Sequence, residues 1–162
     1  VTTDIRLAAP DEYAATGELA AEAYAADGFV PAGSDYGDVL RNAADRAANA
    51  ELWVAADGFD LLGTVTYCAP GSTYREISQD GEGEFRMLAV SAKARGLGLG
   101  TALTHHCIQR SRDLGLSRLV LCSASYMTTA HRLYDRLGFI RTPDRDWSPL
   151  PTVRLHAFAL DL

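Results

Sequence analysis

The chain has 162 residues, 48% of them hydrophobic, and a formal net charge of −6, which fits one folded domain, residues 1–162, with one sizeable core and excludes a disordered chain. No apolar run approaches the ~20 residues a bilayer span needs, and the opening VTTDIRLAAPDEY lacks the basic and apolar regions of a signal peptide. Three widely spaced cysteines, Cys68, Cys107 and Cys122, form neither a disulfide framework nor a zinc-site pattern, so a soluble, reducing, cytoplasmic setting is expected.

DIRLAA (4–9) reads as a short strand. Pro10, Asp11 and Glu12 then open a helix with proline and acids in its first turn, running to about Ala26. GFVPAGSDYG is a loop, and a second acidic, alanine-rich helix covers about 36–49. ELWVAAD (51–57) and LLGTVTYC (61–68) are β-rich runs joined by Gly58-Phe59-Asp60, a hairpin. A long polar loop, GSTYREISQDGEGE, leads to the strand EFRMLAV (84–90).

The next helix, 98–113, carries an inward stripe of Leu99, Leu103, Cys107, Ile108 and Ser111, and Gly115 suits its C-terminal cap. SRLVLCSA (117–124) is a nearly continuous apolar run, as in a strand covered on both faces. TTAHRLYDRL (128–137) is helical and Gly138 closes it. FIRT is a short strand, TPDRDWSPLP a proline-rich loop and TVRLHAFALDL (152–162) the final strand. An antiparallel hairpin followed by a β-α-β crossover predicts a mixed α/β layer fold.

The stretch between the strand 84–90 and its helix is RGLGLGTAL. A dinucleotide fingerprint needs G-x-G-x-x-G and an acid at the end of the following strand. Here the third glycine position is Thr101, and RLVLCSA ends without an acid. A P-loop needs lysine after its last glycine, and none follows. Two readings are left: a pyrophosphate cradle of main-chain amides at a helix N-terminus, with Lys93 and Arg95 nearby, and a glycine-rich turn with no ligand. Three glycines in five residues are costly for a mere turn.

EFRMLAVSAKARGLGLGTAL resembles the central motif of the GNAT-type N-acetyltransferases, whose R/Q-x-x-G-x-G/A core is matched by Arg95, Gly98 and Gly100. TAHRLYDRLGFIR is similar to the family's A-x-x-L-Y-x-x-x-G-F signature through Ala130, Leu133, Tyr134, Gly138 and Phe139. The order of elements agrees over nearly the whole chain. The resemblance implies the GNAT fold: a central, mostly antiparallel twisted sheet of about seven strands, flanked by about four helices, with strands 84–90 and 117–124 splayed apart.

It also implies an acetyl-CoA-dependent N-acetyltransferase with no metal. The main chain of Arg95, Gly96, Leu97, Gly98, Leu99, Gly100 and Thr101 would hold the pyrophosphate. Leu88, Ala89 and Val90 would pair with the pantetheine amides as with an added strand. Tyr134 would protonate the leaving thiolate, and Glu84 would take the amine proton, although Glu82 and Asp80 lie nearby in sequence. The N–H of Leu88 or Ala89 would meet the developing oxyanion. Transfer in the family is direct, so no acyl-cysteine is required. One departure is Met127, which stands where many members carry a pantetheine-contacting asparagine; Thr128 or Ser125 is the expected substitute. A non-catalytic acyl-CoA-binding sensor is the alternative reading.

His105, His106 and His131 are expected on the surface and His156 in a core or edge position. Cys107 and Cys122 read as small packing residues. Trp147 suits either closure of the acceptor site or a cap on the core. Residues 1–83 carry 15 acidic and 4 basic side chains, and residues 84–162 carry 6 and 11. The family's acceptor groove is built largely from the first two helices and the loops before the strands at 84 and 152. Residues 11–60 hold eleven acids and two arginines. An acidic groove favours a cationic amine: an amino sugar, a polyamine or a lysine-bearing peptide. No basic stripe with interleaved aromatics suggests nucleic acid, no membrane partner is expected, and a homodimer is compatible with the pattern.

Overall fold

The computed structural model describes residues 2–30 and 33–162. Pro31 and Ala32 of the expected loop lie outside the described residues. The chain runs β1 (Asp4–Leu7), α1 (Tyr13–Ala26), α2 (Tyr36–Arg41), α3 (Ala43–Asn49), β2 (Glu51–Asp57), β3 (Asp60–Cys68), β4 (Glu82–Val90), α4 (Leu99–Asp113), β5 (Arg118–Ala124), α5 (Thr128–Arg136), β6 (Ile140–Arg141), β7 (Trp147–Leu150) and β8 (Val153–Asp161). One sheet has the order β1-β2-β3-β4-β5-β8-β6, with β7 paired to β8. The β4–β5 pair is parallel and the other pairs are antiparallel.

Two elements differ from the sequence expectation. The helix expected over 36–49 breaks at Asn42, whose backbone leaves the helical region while its side chain accepts the Asp45 N–H at 3.4 Å. Asparagine competes with the helix ladder in this way. Arg46 completes the break: its buried Nη1 donates to the Val39 and Leu40 carbonyls at 3.0 and 2.8 Å, closing the end of α2. The second difference is β7, inside the proline-rich 142–151 segment. Pro149 has no N–H to give a ladder, and it sits in the irregular interval between the Trp147–Leu155 and Leu150–Val153 pairs. The sheet therefore has eight strands and the flanking layers five α-helices.

Both faces of the sheet are covered. The larger core, including Leu103, Cys107, Leu119, Leu121, Phe85 and Phe158, lies under α4 and α5; α1 and α2 cover the other face, where Ala20, Ala21 and Leu40 meet Met87 and Ala89. The inward stripe on α4 is buried as its spacing implies. Gly115 and Gly138 take positive φ values of 71° and 92° just past α4 and α5. The N–H groups of Leu116 and Phe139 then reach back to the Ser111 and Tyr134 carbonyls, both at 3.0 Å, as a left-handed cap requires.

A bulge in β4 sets up the site. Thr64 pairs with Ala89 and Thr66 with Arg86, so three steps on β4 face two on β3. Met87 absorbs the extra residue with φ 57°, and is the one non-glycine residue with positive φ among those described. The added residue resets the alternation of faces. Phe85 packs into the α4–α5 core, whereas Met87 and Ala89 pack under α1.

Candidate active site

Strands β4 and β5 pair at three positions only, Glu82–Arg118, Gly83–Leu119 and Glu84–Val120. Beyond Glu84 the strands part. The β4 edge from Phe85 to Val90 that faces β5 has no strand partner, although its other edge stays paired to β3. Unpaired main-chain groups at an internal gap are a template for an extended, amide-bearing ligand.

One cavity of about 620 Å³ lies along this edge. Leu88, Ala89 and Val90 form one wall, and Arg95, Gly96, Gly98, Leu99, Gly100 and Thr101 form its end. Gly96 and Gly98 hold φ values of 79° and 75°, a conformation that side chains with a Cβ rarely adopt. Gly98 is the residue before α4, and the first helical bond runs from Ala102 N–H to the Gly98 carbonyl at 3.0 Å. The N–H groups of the preceding turn are left for an outside acceptor. These residues fit a pyrophosphate on a pantetheine-like arm. Leu97 is the exception among the expected ligand residues: its side chain is exposed and does not line the cavity.

The positive charge near this end differs from expectation. Arg95 lines the cavity but is held by Asp27 in a two-pronged pair at 2.9 and 3.0 Å, and Lys93 is paired with Asp60. Arg132 and Arg136, one helical turn apart on α5, also line the cavity. Their i, i+4 spacing beside Leu133 was the available sequence signal. Met127 lines the cavity at the asparagine position, and Thr129, rather than Thr128 or Ser125, supplies the nearby hydroxyl.

A second cavity of about 320 Å³ meets the first, the two sharing Tyr24, Phe29, Leu88, Met127 and Ala130. Six aromatic rings line it, Tyr24, Phe29, Tyr36, Phe85, Tyr126 and Tyr134, among aliphatic residues and the charged Asp35, Glu76 and Arg86. Residues from both sides of the sheet meet here because the strands have parted. Tyr134 reaches it from α5, seated edge-on against Phe85 and Phe139 with ring centroids 5.9 and 5.8 Å away. Burial pushes the Tyr134 phenol well above the ordinary tyrosine value, so it stays protonated at neutral pH. Among the described residues its hydroxyl has no hydrogen-bond partner.

Glu84, expected as the base, does not line either cavity. It is fully buried, and its Oε1 accepts the N–H groups of Glu76, Ile77 and Ser78 at 3.0, 3.1 and 3.0 Å, while Oε2 has no partner. The carboxylates that do line the smaller cavity are Asp35 and Glu76, the latter from the loop that Glu84 holds. Arg86 pairs with Glu76 at 3.0 Å and donates to the Tyr74 carbonyl at 3.1 Å. Burial raises the Glu76 carboxyl, Arg86 opposes that rise, and nearby Glu84 adds to it. Glu76 carried no sequence signal because its placement depends on Glu84, eight residues away across a turn.

The remaining candidates fall outside the cavity or are inert. Cys122 lines it, but burial pushes its thiol up to about 12, which removes the thiolate a nucleophile needs. Cys107 is fully buried. His105 is exposed, as expected, but His106 is half-buried against Trp53, ring centroids 4.1 Å apart. His131 is half-buried as well, with Nε2 3.1 Å from Ser123 Oγ, and His156 lies beside it, 5.8 Å between centroids. Trp147 is not a wall residue; Pro149 and Leu150 of its strand are.

The acids of residues 11–60 are mostly committed elsewhere. Glu12 pairs with Arg6, Glu18 with Arg41, Asp27 with Arg95, Glu51 with Arg110 and Asp60 with Lys93, while Asp45 accepts from Tyr74. Asp35 alone of the eleven lines the aromatic cavity. Three of these pairs, Asp27–Arg95, Glu51–Arg110 and Asp60–Lys93, join the acidic half of the chain to the basic half. Among the described residues, no helix is long and apolar enough to cross a membrane.

Comparison with known proteins places this geometry in context. The model of the acetyltransferase (GNAT) family matches residues 18–139. The mycothiol acetyltransferase of Cellulomonas flavigena is 37% identical over 106 residues, covering 60% of this chain and 30% of that protein. The probable N-acetyltransferase family 8 member 5 of Mus musculus is 32% identical over 111 residues, covering 67% of this chain and 46% of that protein. The match spans between 18% and 32% of the length of the mycothiol acetyltransferases. The ribosomal-protein-S18-alanine N-acetyltransferase of Escherichia coli has the same fold, with TM-score 0.73 and 18% identity over 99% of this chain and 94% of that one. So does yncA of Salmonella typhimurium, solved with acetyl-CoA, with TM-score 0.69 and 22% identity over 100% and 95% of the two chains.

Proposed function

The chain belongs to the GNAT acetyltransferase family, and on that footing we propose that it transfers an acetyl group from acetyl-CoA to a primary amine by direct attack in a ternary complex. The observation that carries this reading is the meeting of the two cavities at the parting of β4 and β5, with the glycine-lined end in one and the Tyr134 phenol in the other. Acetyl-CoA supplies the acetyl group as a thioester.

The chain's own residues would do the rest. The amides around Gly96–Thr101 hold pyrophosphate, with Arg132 and Arg136 adding charge. The free edge at Leu88–Val90 orients the arm and offers an N–H to the developing oxyanion. Tyr134, kept protonated by burial, gives its proton to the leaving sulfur and recovers one from the newly acylated nitrogen. The apolar walls exclude water from the thioester.

The acceptor reading narrows with the cavity. The amine enters as an ammonium ion, and the acids available to meet it are Glu76 and Asp35. The walls around them are mostly aromatic and aliphatic, with Arg86 as the cation among them, paired to Glu76. This favours one ammonium group on a compact apolar body over a polycation, whose further charges would be buried without partners.

The test is thiol release from acetyl-CoA with a panel of phenethylamine, benzylamine, glucosamine, spermidine and a lysine peptide, alongside CoA binding by calorimetry. Amine-dependent release, greatest for the arylalkylamines, is expected. CoA binding without amine-dependent release across the panel would replace the enzyme with an acyl-CoA sensor.

A further inference from the structure

We propose that Glu76, not Glu84, takes the proton from the acceptor ammonium, and that Glu84 is a positioning residue that holds Glu76 at the cavity wall. The proposal rests on the acetyl-transfer reading above. Three observations meet in it. Glu84 is closed off: it is fully buried, and one of its oxygens already accepts three main-chain N–H groups. Those three groups belong to residues 76–78, so the closed carboxylate fixes the backbone that carries Glu76. Glu76 itself lines the cavity, with its Oε1 3.0 Å from Arg86 Nε.

The placement suits acid and base roles on opposite sides of one reacting carbon. Glu84 and Arg86 alternate on the strand face opposite to Phe85, and Phe85 packs against Tyr134. Glu76, held by Glu84 and Arg86, therefore lies on the far side of the sheet from Tyr134. The two side chains line one cavity because β4 and β5 have already separated. A nucleophile arriving from the Glu76 side and a leaving group protonated from the Tyr134 side need that separation.

Charges around Glu76 come from several elements. Arg86 and Glu84 face it from β4, Tyr36 from α2, Cys68 from β3 and Cys122 from β5. Burial and Glu84 make the carboxylate a stronger proton acceptor, and the Arg86 guanidinium opposes that rise. The ammonium N–H bond breaks and an O–H bond forms on Glu76, leaving a neutral amine. The nitrogen lone pair then forms the C–N bond as the C–S bond breaks, Tyr134 protonating the departing thiolate and regaining a proton from the acylated nitrogen. Glu76 returns its proton to solvent between turnovers.

The experiment measures kcat against pH for the wild type, Glu76→Gln, Arg86→Gln and Glu84→Gln, with acetyl-CoA and the panel amine turned over fastest. CoA binding and melting temperature serve as folding controls. Glu76→Gln should lower kcat on the order of 10²–10⁴-fold, the range for losing a general base, and abolish the acid limb, with CoA binding unchanged. Arg86→Gln should lower plateau kcat far less than Glu76→Gln does and move the acid limb to higher pH, a shift that loss of packing alone does not produce. An unchanged limb in Glu76→Gln, or a limb lost only in Glu84→Gln, would overturn the proposal while leaving acetyl transfer intact. Absence of amine-dependent release by the wild type would overturn both.

Discussion

Asp27 and Arg95, 68 residues apart, form a two-pronged ion pair at 2.9 and 3.0 Å that ties the end of α1 to the start of the glycine stretch. Both side chains are about a third or more exposed, so the pair adds no more than about 1 kcal/mol to stability. Its weight falls on binding, because Arg95 is a cation, already neutralised, lining the glycine end proposed to hold pyrophosphate. Asp27→Asn should tighten CoA binding a few-fold, steepen its salt dependence and leave the melting temperature nearly unchanged. Titration calorimetry at two salt concentrations checks this; weaker binding in Asp27→Asn would mean that the pair orients Arg95 rather than competing for it.

Tyr134→Phe keeps the ring that packs against Phe85, Phe139 and Phe158 and removes only the hydroxyl. The expected result is a fall in kcat of roughly 10²-fold, with CoA affinity and stability little altered. Burial raises this phenol above its ordinary value. Its ionisation should therefore place no alkaline limb on kcat below pH ~10 in the wild type. Stopped turnover assays over pH 6–10 test both statements, and an equal kcat for the variant would remove the acid role.

The parts of this site that were legible in the sequence are those built from neighbours in the chain. The glycine spacing at 96–100 encodes its own backbone geometry and helix start, and Tyr134 sits in a helix whose end is written by Gly138. Glu76 was not legible, because what brings it to the cavity is a carboxylate eight residues on, acting through three amides. The acids of the first sixty residues could not be assigned to a groove for a similar reason: Asp27, Glu51 and Asp60 find arginine or lysine partners that only the folded sheet brings near. In the fold, the hairpin and the α4 stripe follow from periodicity. The break at Asn42 depends on Arg46 folding back, and β7 depends on β8 tolerating Pro149 at an irregular pairing.

Gly83 stands where β4 still pairs with β5, and it is needed there for space. A Cβ at this position would lie 2.5 Å from Tyr67 Oη and 2.9 Å from Ser111 Oγ. Those two atoms share a buried hydrogen bond of 2.7 Å. Gly83→Ala must push them apart, adding overpacking to the loss of a buried polar partner, for a cost of about 2–4 kcal/mol. Chemical denaturation should show the lower midpoint. Tyr67→Phe in the same background should recover part of the loss, since it removes the oxygen nearest the added methyl. No recovery would place the strain elsewhere.

Asp146 gives the chain a pH-dependent tether. Arg141 grips both its oxygens at 2.8 Å, and Asp146 Oδ1 also accepts the Ala157 N–H at 2.8 Å, pinning the segment before β7 onto β8. The side chain is 7% exposed, and these contacts, Arg141 foremost, lower its carboxyl from 3.8 to about 2. A depressed carboxylate stabilises the fold above its unfolded pKa and loses that contribution as pH falls through its folded pKa. The contribution is therefore complete above pH ~5 and fades between pH ~4 and pH ~2, for a total of about 2 kcal/mol. Asp146→Asn should lower unfolding free energy at pH 7 by at least this amount and converge with the wild type near pH 2. Because Pro149 and Leu150 of the tethered segment line the aromatic cavity, the variant should also raise the acceptor KM while sparing CoA affinity. Denaturation at pH 7 and pH 3, paired with acceptor kinetics, checks both; an unchanged KM would confine the tether to stability.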